Sequence, residues 1–380
     1  MARQPFLKHL NERAVLDTIR AGAPISRAQI SRSAGISKPT ASAALTSLLD
    51  AGLVRETDAA GDGPTYGAVF FEPVPEAALV LGLDLGTRFL RGAICDLAGS
   101  VRARQDVELP RAEAGEVLDR MADLTAALVE ATGLPRERVD SAVVGVPGAV
   151  APDGRVLLAE NIHGLEDLDV AAEAERVLGM PVTVENDVNL AALGERWRGV
   201  GRGVDDFVFV SVGTGLGAGL VLGGELHRGR NGLAGEVDLA RLEPALDPSA
   251  PALSRLAAER AAGAGTALAP PFDPRDVFAA ARRGDAVARE VVAEEARRIA
   301  LHVVPIAAVV DVGLVVLGGG VGSNGDLLVD PICTELAQRL PAPPRVEVSA
   351  LGESAVLDGA LAIGRDDALD RVFEQRPIAL

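Results

Sequence analysis

The chain has 380 residues, 48% of them hydrophobic and 24% charged, and a formal net charge of −17. That is an ordinary composition for a folded globular protein, with length enough for two or three compact units. The two cysteines, Cys95 and Cys333, exclude a disulfide framework and a four-thiolate metal site. Apolar runs such as Ile306 to Val310 fall far short of the roughly 20 residues that span a bilayer. The opening MARQPFLKHLNERAVLDTI lacks the apolar core and cleavage site of a signal peptide. A cytoplasmic protein with no membrane contact is expected.

The charge is uneven. Residues 1–57 hold eight basic and four acidic side chains, a balance of +4, so the remainder carries −21. A basic head on an acidic body is what a small DNA-reading module on a larger unit requires, although chance unevenness gives the same figure.

Three helical patterns occupy the head. Val15, Leu16 and Ile19 form one apolar stripe, closed by Gly22 and Pro24. A second helix opens at Ser26 with Gln29 three residues on, a capping-box arrangement; it is expected to bury Ile30 and Ala34 and to stop at Gly35. Ser37 then caps a third helix through about Asp50, with Ala41, Ala44, Leu45 and Leu48 facing inward. Its outward side is small, polar and short of acids, which suits approach to a groove lined with phosphate. Recognition helices read bases chiefly from their N-terminal residues, which singles out Ser37, Lys38, Thr40 and Ser42, with Arg27 on the phosphates. Leu53 to Glu56, a turn at Gly61 to Pro64, and Tyr66 to Phe71 read as a two-stranded wing. A three-helix packing module that touches no DNA is the alternative.

From Leu79 the pattern changes to strands and glycines. Three strands (Leu79 to Leu85, Phe89 to Asp96, Val101 to Leu109), a helix from about Ala112 to Thr132 and a strand at Ser141 to Val146 form one lobe. Strands at Phe207 to Val212, Ala218 to Leu222 and Glu225 to Arg228 begin a second. Helices fill about 253–309, and a strand follows at Leu314 to Leu317. Two similar α/β lobes with glycine turns at strand ends make a cleft, where ligands of such folds bind. Asp84-Leu85-Gly86-Thr87-Arg88, Gly213 to Gly219 and Gly318 to Gly322 are glycine turns beside strands, suited to an anion. Glu185-Asn186-Asp187 precedes a helix, Val188 to Arg198, so Asp187 either faces the cleft as a base or serves only as a helix cap. Trp197, on the same helix, is expected to report cleft closure.

The order and spacing of these segments resemble the ROK family (repressor, open reading frame, kinase), in its branch of regulators with a winged helix-turn-helix. The strongest matching segments are Val184 to Ala192, Gly213 to Gly219 and Gly232 to Val237. The resemblance implies an α+β winged helix-turn-helix over residues 1–72 and a two-lobed actin-like, ribonuclease-H-like α/β domain over 78–380, assembled as a dimer or tetramer. It assigns sugar contacts to Gly148, Asn161, Asn186, Asp187 and Glu236, with Asp187 as the base of the kinases. Asp84, Gly86, Thr214, Gly215, Gly217, Gly319 and Gly320 fall in its phosphate-binding segments.

Three departures weigh against an intact kinase. Arg88 stands where the phosphate loop has threonine, and Thr87 comes one residue early. Gly235-Glu236-Val237-Asp238-Leu239 puts leucine where the family has a histidine that binds zinc and sugar. No cysteine occurs between Ala240 and Arg260, where the zinc thiolates lie. The expectation is a transcription regulator, most simply a repressor, that binds double-stranded DNA at a palindromic operator as a homodimer. It senses a sugar or sugar derivative with a vestigial kinase site, and it uses neither zinc nor ATP and magnesium. The alternatives are an active ATP-dependent sugar kinase that also binds DNA, and a ligand-blind DNA-binding dimer.

Overall fold

The structure is a computed structural model that describes residues 3–58, 69–109, 113–159, 162–240 and 243–374. In the head, the helix Arg3–Gly22 buries Val15, Leu16 and Ile19 against the helices Arg27–Ser33 and Lys38–Asp50. Gln29 Oε1 accepts the Ser26 backbone N–H at 3.0 Å and its hydroxyl at 2.6 Å, so the second helix starts where the box pattern placed it. Ala34, expected inward, is only partly buried. Ser31 takes the inward place and donates to the Ile36 carbonyl at 2.8 Å, closing the turn into the third helix. There Ala41, Ala44, Leu45 and Leu48 are buried, as their spacing requires.

The wing has one strand more than the sequence suggests. Val54–Thr57 pairs antiparallel with Phe70–Pro73, and the short strand Ile25–Ser26 adds to the other edge at Phe71 and Phe70. Two residues carry too little periodicity to be read as a strand. The expected turn at Gly61 to Pro64 and the start of its second strand lie outside the described residues.

The body has two five-stranded sheets of one plan. In the first, Leu79–Leu85 runs antiparallel to Phe89–Asp96, which pairs with Val101–Glu108; on its other side lie the parallel strands Val139–Val146 and Val182–Asn186. In the second, Phe207–Val212 pairs antiparallel with Leu216–Leu222, then Glu225–Leu226, and parallel with Leu314–Gly318, then Arg345–Val348. This is the two-lobed architecture the resemblance implies. The hairpin after the first strand carries Gly86 in one lobe and Gly213 to Gly215 in the other, so the two glycine turns are structural equivalents. Three helices, Ala250–Ala261, Pro274–Arg282 and Ala286–Val310, pack on the second sheet.

Beyond the last expected strand, the chain ends in a helix, Ala355–Glu374, that packs on the strands Leu79–Leu85 and Val139–Val146 and on the helix Asp187–Arg198. The two helices meet at glycines. A Cβ on Gly359 would run into the Leu190 carbonyl, and one on Gly194 into the Ala355 carbonyl. Close-packed backbone cannot retreat as a flexible side chain can. Gly359→Ala is therefore expected to cost at least about 2 kcal/mol through overpacking, read as a lower urea midpoint than that of the parent chain.

Candidate ligand cleft and DNA-facing helix

The helix Asp187–Arg198 points its N-terminus between the lobes. Asn186 caps it: its Oδ1 accepts the Asn189 N–H at 2.9 Å, while its Nδ2 donates to the Gly148 carbonyl at 3.0 Å and lies 3.4 Å from Asp187 Oδ1. Gly148 has φ +118, and a Cβ there would strike the Leu157 carbonyl. No other residue suits that turn. Asp187 Oδ1 accepts the Val188 N–H at 2.8 Å in the first turn of the helix that Asn186 caps, which is the geometry of the capping reading.

Glu236 arrives from the second lobe. Gly232 and Gly235, both with positive φ, press the loop against the Val150 and Ala218 carbonyls, and Ala218 N–H donates to the Gly235 carbonyl at 2.9 Å. Glu236 is thereby held near enough to Asp187 to act on its charge. Burial first, then the carboxylates of Asp84 and Glu236, push Asp187 up to about 7. Burial also lifts Asp84 to about 6 despite Arg91, and raises Glu236 with help from Asp238. Gly148, Asn186, Asp187 and Glu236 are thus brought together; Asn161 lies outside the described residues.

In the phosphate segments, Asp84 and Gly86 sit beside Arg91, whose Nη1 is 3.2 Å from Asp84 Oδ2. Arg91 also reaches Asp106 at 3.6 Å and Glu353 at 2.8 Å. Arg88 is exposed, with its guanidinium 5.9 Å from the Phe89 ring. In the second lobe the hairpin of Gly213, Thr214 and Gly215 lies beside Gly319 and Gly320, and Gly319 with φ +79 packs on the Val212 carbonyl. Gly217, two residues past that turn, lies in the strand Leu216–Leu222 paired with Ser211 and abuts Val188. Its small size lets the site helix approach the sheet.

Sequence reasoning missed Arg91 and Arg228, and gave Glu185 and Asn189 no role beyond their place in the motif. Buried Glu185 accepts from Asn186 N–H and Asn189 Nδ2, each at 2.9 Å, and from Arg228 Nε at 2.6 Å. A carboxylate four residues before an asparagine across a helix start was the available signal. Trp197 does not face the cleft. It lies ten residues, about 15 Å, along the helix from Asp187, against Gly99 and beneath Arg198 and Arg365.

Leu239 stands where the resemblance places a zinc-binding histidine. Leu239 is an exposed hydrocarbon, and the segment after it rests on Arg298, which donates to the Asp247 carbonyl at 3.1 Å, and on His302, 3.2 Å from the Leu246 carbonyl. Among the described residues no group of three His, Cys, Asp or Glu side chains is arranged to hold a metal ion.

In the head, Ser37 and Lys38 are exposed at the start of the third helix, with Thr40 and Ser42 half-buried beside them. Ser37 Oγ accepts the Thr40 N–H at 3.3 Å and shares a 2.7 Å hydrogen bond with its hydroxyl. Arg27 is also exposed, 5.8 Å from the Phe71 ring of the wing. None of these five residues is acidic.

Comparison with known proteins agrees with both halves. The ROK family model matches residues 80–367. The chain belongs to the ROK family. A MarR family model matches residues 9–63, the head. The xylose repressor of Caldicellulosiruptor bescii is 27% identical over 97% of this chain and 98% of its own. A ROK family transcriptional regulator, a homologue of the E. coli MLC protein, shares the fold at a TM-score of 0.80 with 24% identity, covering 97% of this chain and 98% of that one. A ROK family glucokinase from Streptomyces griseus, in complex with glucose and AMPPNP, has a TM-score of 0.66 and 29% identity over 76% of this chain and all of that one. Among the described residues of this ROK protein, no helix is long and apolar enough to cross a membrane.

The raised pKa of Asp187 has a direct consequence. An unfolded aspartate loses its proton near pH 4, whereas Asp187 keeps it to about 7. Between those values the folded chain binds more protons, so this group's contribution to stability falls as pH rises. Asp187→Asn keeps the Val188 acceptor and removes that fall. It is expected to gain stability over the parent from pH 4 to 7 and to hold the gain above; urea midpoints at the two ends of the range check this, and a constant difference refutes it.

Proposed function

We propose that this ROK protein is a DNA-binding transcriptional repressor whose kinase-like body senses a sugar or sugar derivative without phosphorylating it. The observation that carries the reading is the union, in one chain, of a recognition helix whose candidate contacts include no acid with a cleft of amide and carboxyl groups. Asn186, Asp187 and Glu236 can pair with vicinal hydroxyls as donors and acceptors. Similarity to a xylose repressor along nearly the whole chain, head included, supports it. The protein works as a homodimer on a palindromic operator in the cytoplasm, where one lobe arrangement sets the spacing of two heads and sugar favours another. Zinc has no place in it, and the Arg91–Asp84 pair argues against ATP and magnesium. The second reading is a sugar kinase that also binds DNA, favoured by Asp187 and the Gly213 to Gly215 hairpin, the structural partner of the Gly86 turn.

The test uses duplex fragments from upstream of the protein's own gene, with xylose, glucose and N-acetylglucosamine as probes. Binding is expected to be steeply weakened by salt through counterion release, and weakened or strengthened by one of the sugars. Lys38→Glu should lower affinity about tenfold or more; normal binding by that variant removes the recognition helix from the interface. Asp187→Ala should keep DNA binding and lose the sugar response.

With ATP and magnesium, turnover over the same sugars is expected to equal that of Asp187→Ala, and elemental analysis should find no stoichiometric zinc. Steady turnover that Asp187→Ala abolishes establishes the kinase instead.

A further inference from the structure

Between head and body lies a cavity of about 390 Å³ that neither the sugar reading nor the DNA reading uses. The first helix of the head lends it Leu16 and Arg20, the wing Leu53, the linker Pro75, the body hairpin Leu97, and the C-terminal helix Leu369. Most of the residues that line it are apolar, and they come from every part of the joint. Two charged side chains line it. Arg20 is three-quarters buried, and Asp17 stands at the rim with over half its side chain exposed.

The guanidinium is under-used. Of its five N–H donors, one is committed to the Leu97 carbonyl at 3.1 Å, while the Asp17 carboxylate lies 3.7 Å from Nη1, beyond hydrogen-bond reach. Burial, and then nearby Arg365, work against the charge on Arg20. A largely buried guanidinium with donors to spare, its ion pair to Asp17 a long one at 3.7 Å, is complementary to one carboxylate. A dianion would meet Asp17 and the neighbouring Asp366, and an organic cation would meet Arg20 and Arg365. The volume falls within the range of small-ligand pockets, which combine apolar walls with a few polar groups.

We propose that this cavity binds a small monocarboxylate with an apolar body, its carboxylate on Arg20, and that occupancy sets how the head sits on the body. A ligand whose wall comes from both parts has different contacts in each head orientation, and that difference is what couples it to DNA.

Trp197 provides the readout. It is the sole tryptophan, and it packs under Gly99 in the same hairpin as Leu97 and against the apolar cluster that holds Leu16 and Leu369. In the full chain, 3-phenylpropionate is expected to shift Trp197 emission saturably, and 3-phenylpropanol, with the same ring and no charge, to need about tenfold more. Arg20→Gln keeps a donor for Leu97 and should erase the preference for the acid. Ala98→Leu adds bulk at an exposed position of the lining and should weaken both compounds. Asp187→Ala should change neither, which separates this site from the sugar cleft. Saturating acid should alter affinity for the duplex fragment several-fold. No saturable shift at millimolar acid, equal binding of acid and alcohol, or an Arg20→Gln that keeps the preference overturns the site; unchanged DNA affinity at saturation overturns the coupling.

Discussion

The backbone contact between the helices Asp187–Arg198 and Ala355–Glu374, at Gly194 and Gly359, positions both functional ends of the molecule. At one end of the first helix Asn186 and Asp187 enter the cleft. At its other end Arg198 binds Asp358 of the C-terminal helix at 2.9 Å and donates to the Gly99 carbonyl. The C-terminal helix then meets the head, through Leu369 in the shared apolar cluster and Asp370 in an ion pair with Arg13. The two helices are in close backbone contact, so a side chain at either glycine would force them apart.

What binds head to body is chiefly apolar. Arg13 and Asp370 are both exposed, and exposed ion pairs contribute at most about 1 kcal/mol. The contiguous cluster is another matter: Leu16 and Ile19 of the head lie in one packed group with Leu97, Leu357 and Leu369 of the body. Burial of such side chains contributes about 1.5–3 kcal/mol each. The joint is firm where it is apolar and open at one cavity, so its geometry responds to changes in packing more than to surface charge.

The sequence made the regular parts legible. The stripe of Val15, Leu16 and Ile19, the Ser26 and Ser37 caps, and the strand–glycine–strand units all rest on local rules, and each appears in the structure. What escaped it depends on partners distant in the chain. The strand Ile25–Ser26 exists only because Phe70–Pro73 offers it an edge, and Ala34 yields its inward place to Ser31 through a bond to Ile36. That Gly217 lets Val188 pack close is likewise invisible in the sequence. Arg91 carries no motif at all; its part follows from the register that places it opposite Asp84 across a hairpin. Trp197 was placed on the right helix, but a periodicity cannot tell which end of a helix meets the cleft.

The same register explains why sugar binding and phosphoryl transfer make unequal demands on this cleft. A carboxylate that helps hold nucleotide phosphates must present its charge to the cation that accompanies them, with little tolerance in position. Asp84 instead gives its charge to Arg91, which Asp106 and Glu353 hold from the other side. Freeing it means uncoupling a buried pair, which typically costs about 3–5 kcal/mol when one partner is left behind. Sugar hydroxyls ask for much less. They donate to a carboxylate and accept from a protonated carboxyl, so an Asp187 that titrates near neutrality serves in either state. Asn186, tied to Gly148 and to the helix it caps, is already oriented before any ligand arrives. Asn186 and Gly148 thus fix an amide beside Asp187, while Arg91 neutralises the Asp84 carboxylate next to the Gly86 turn.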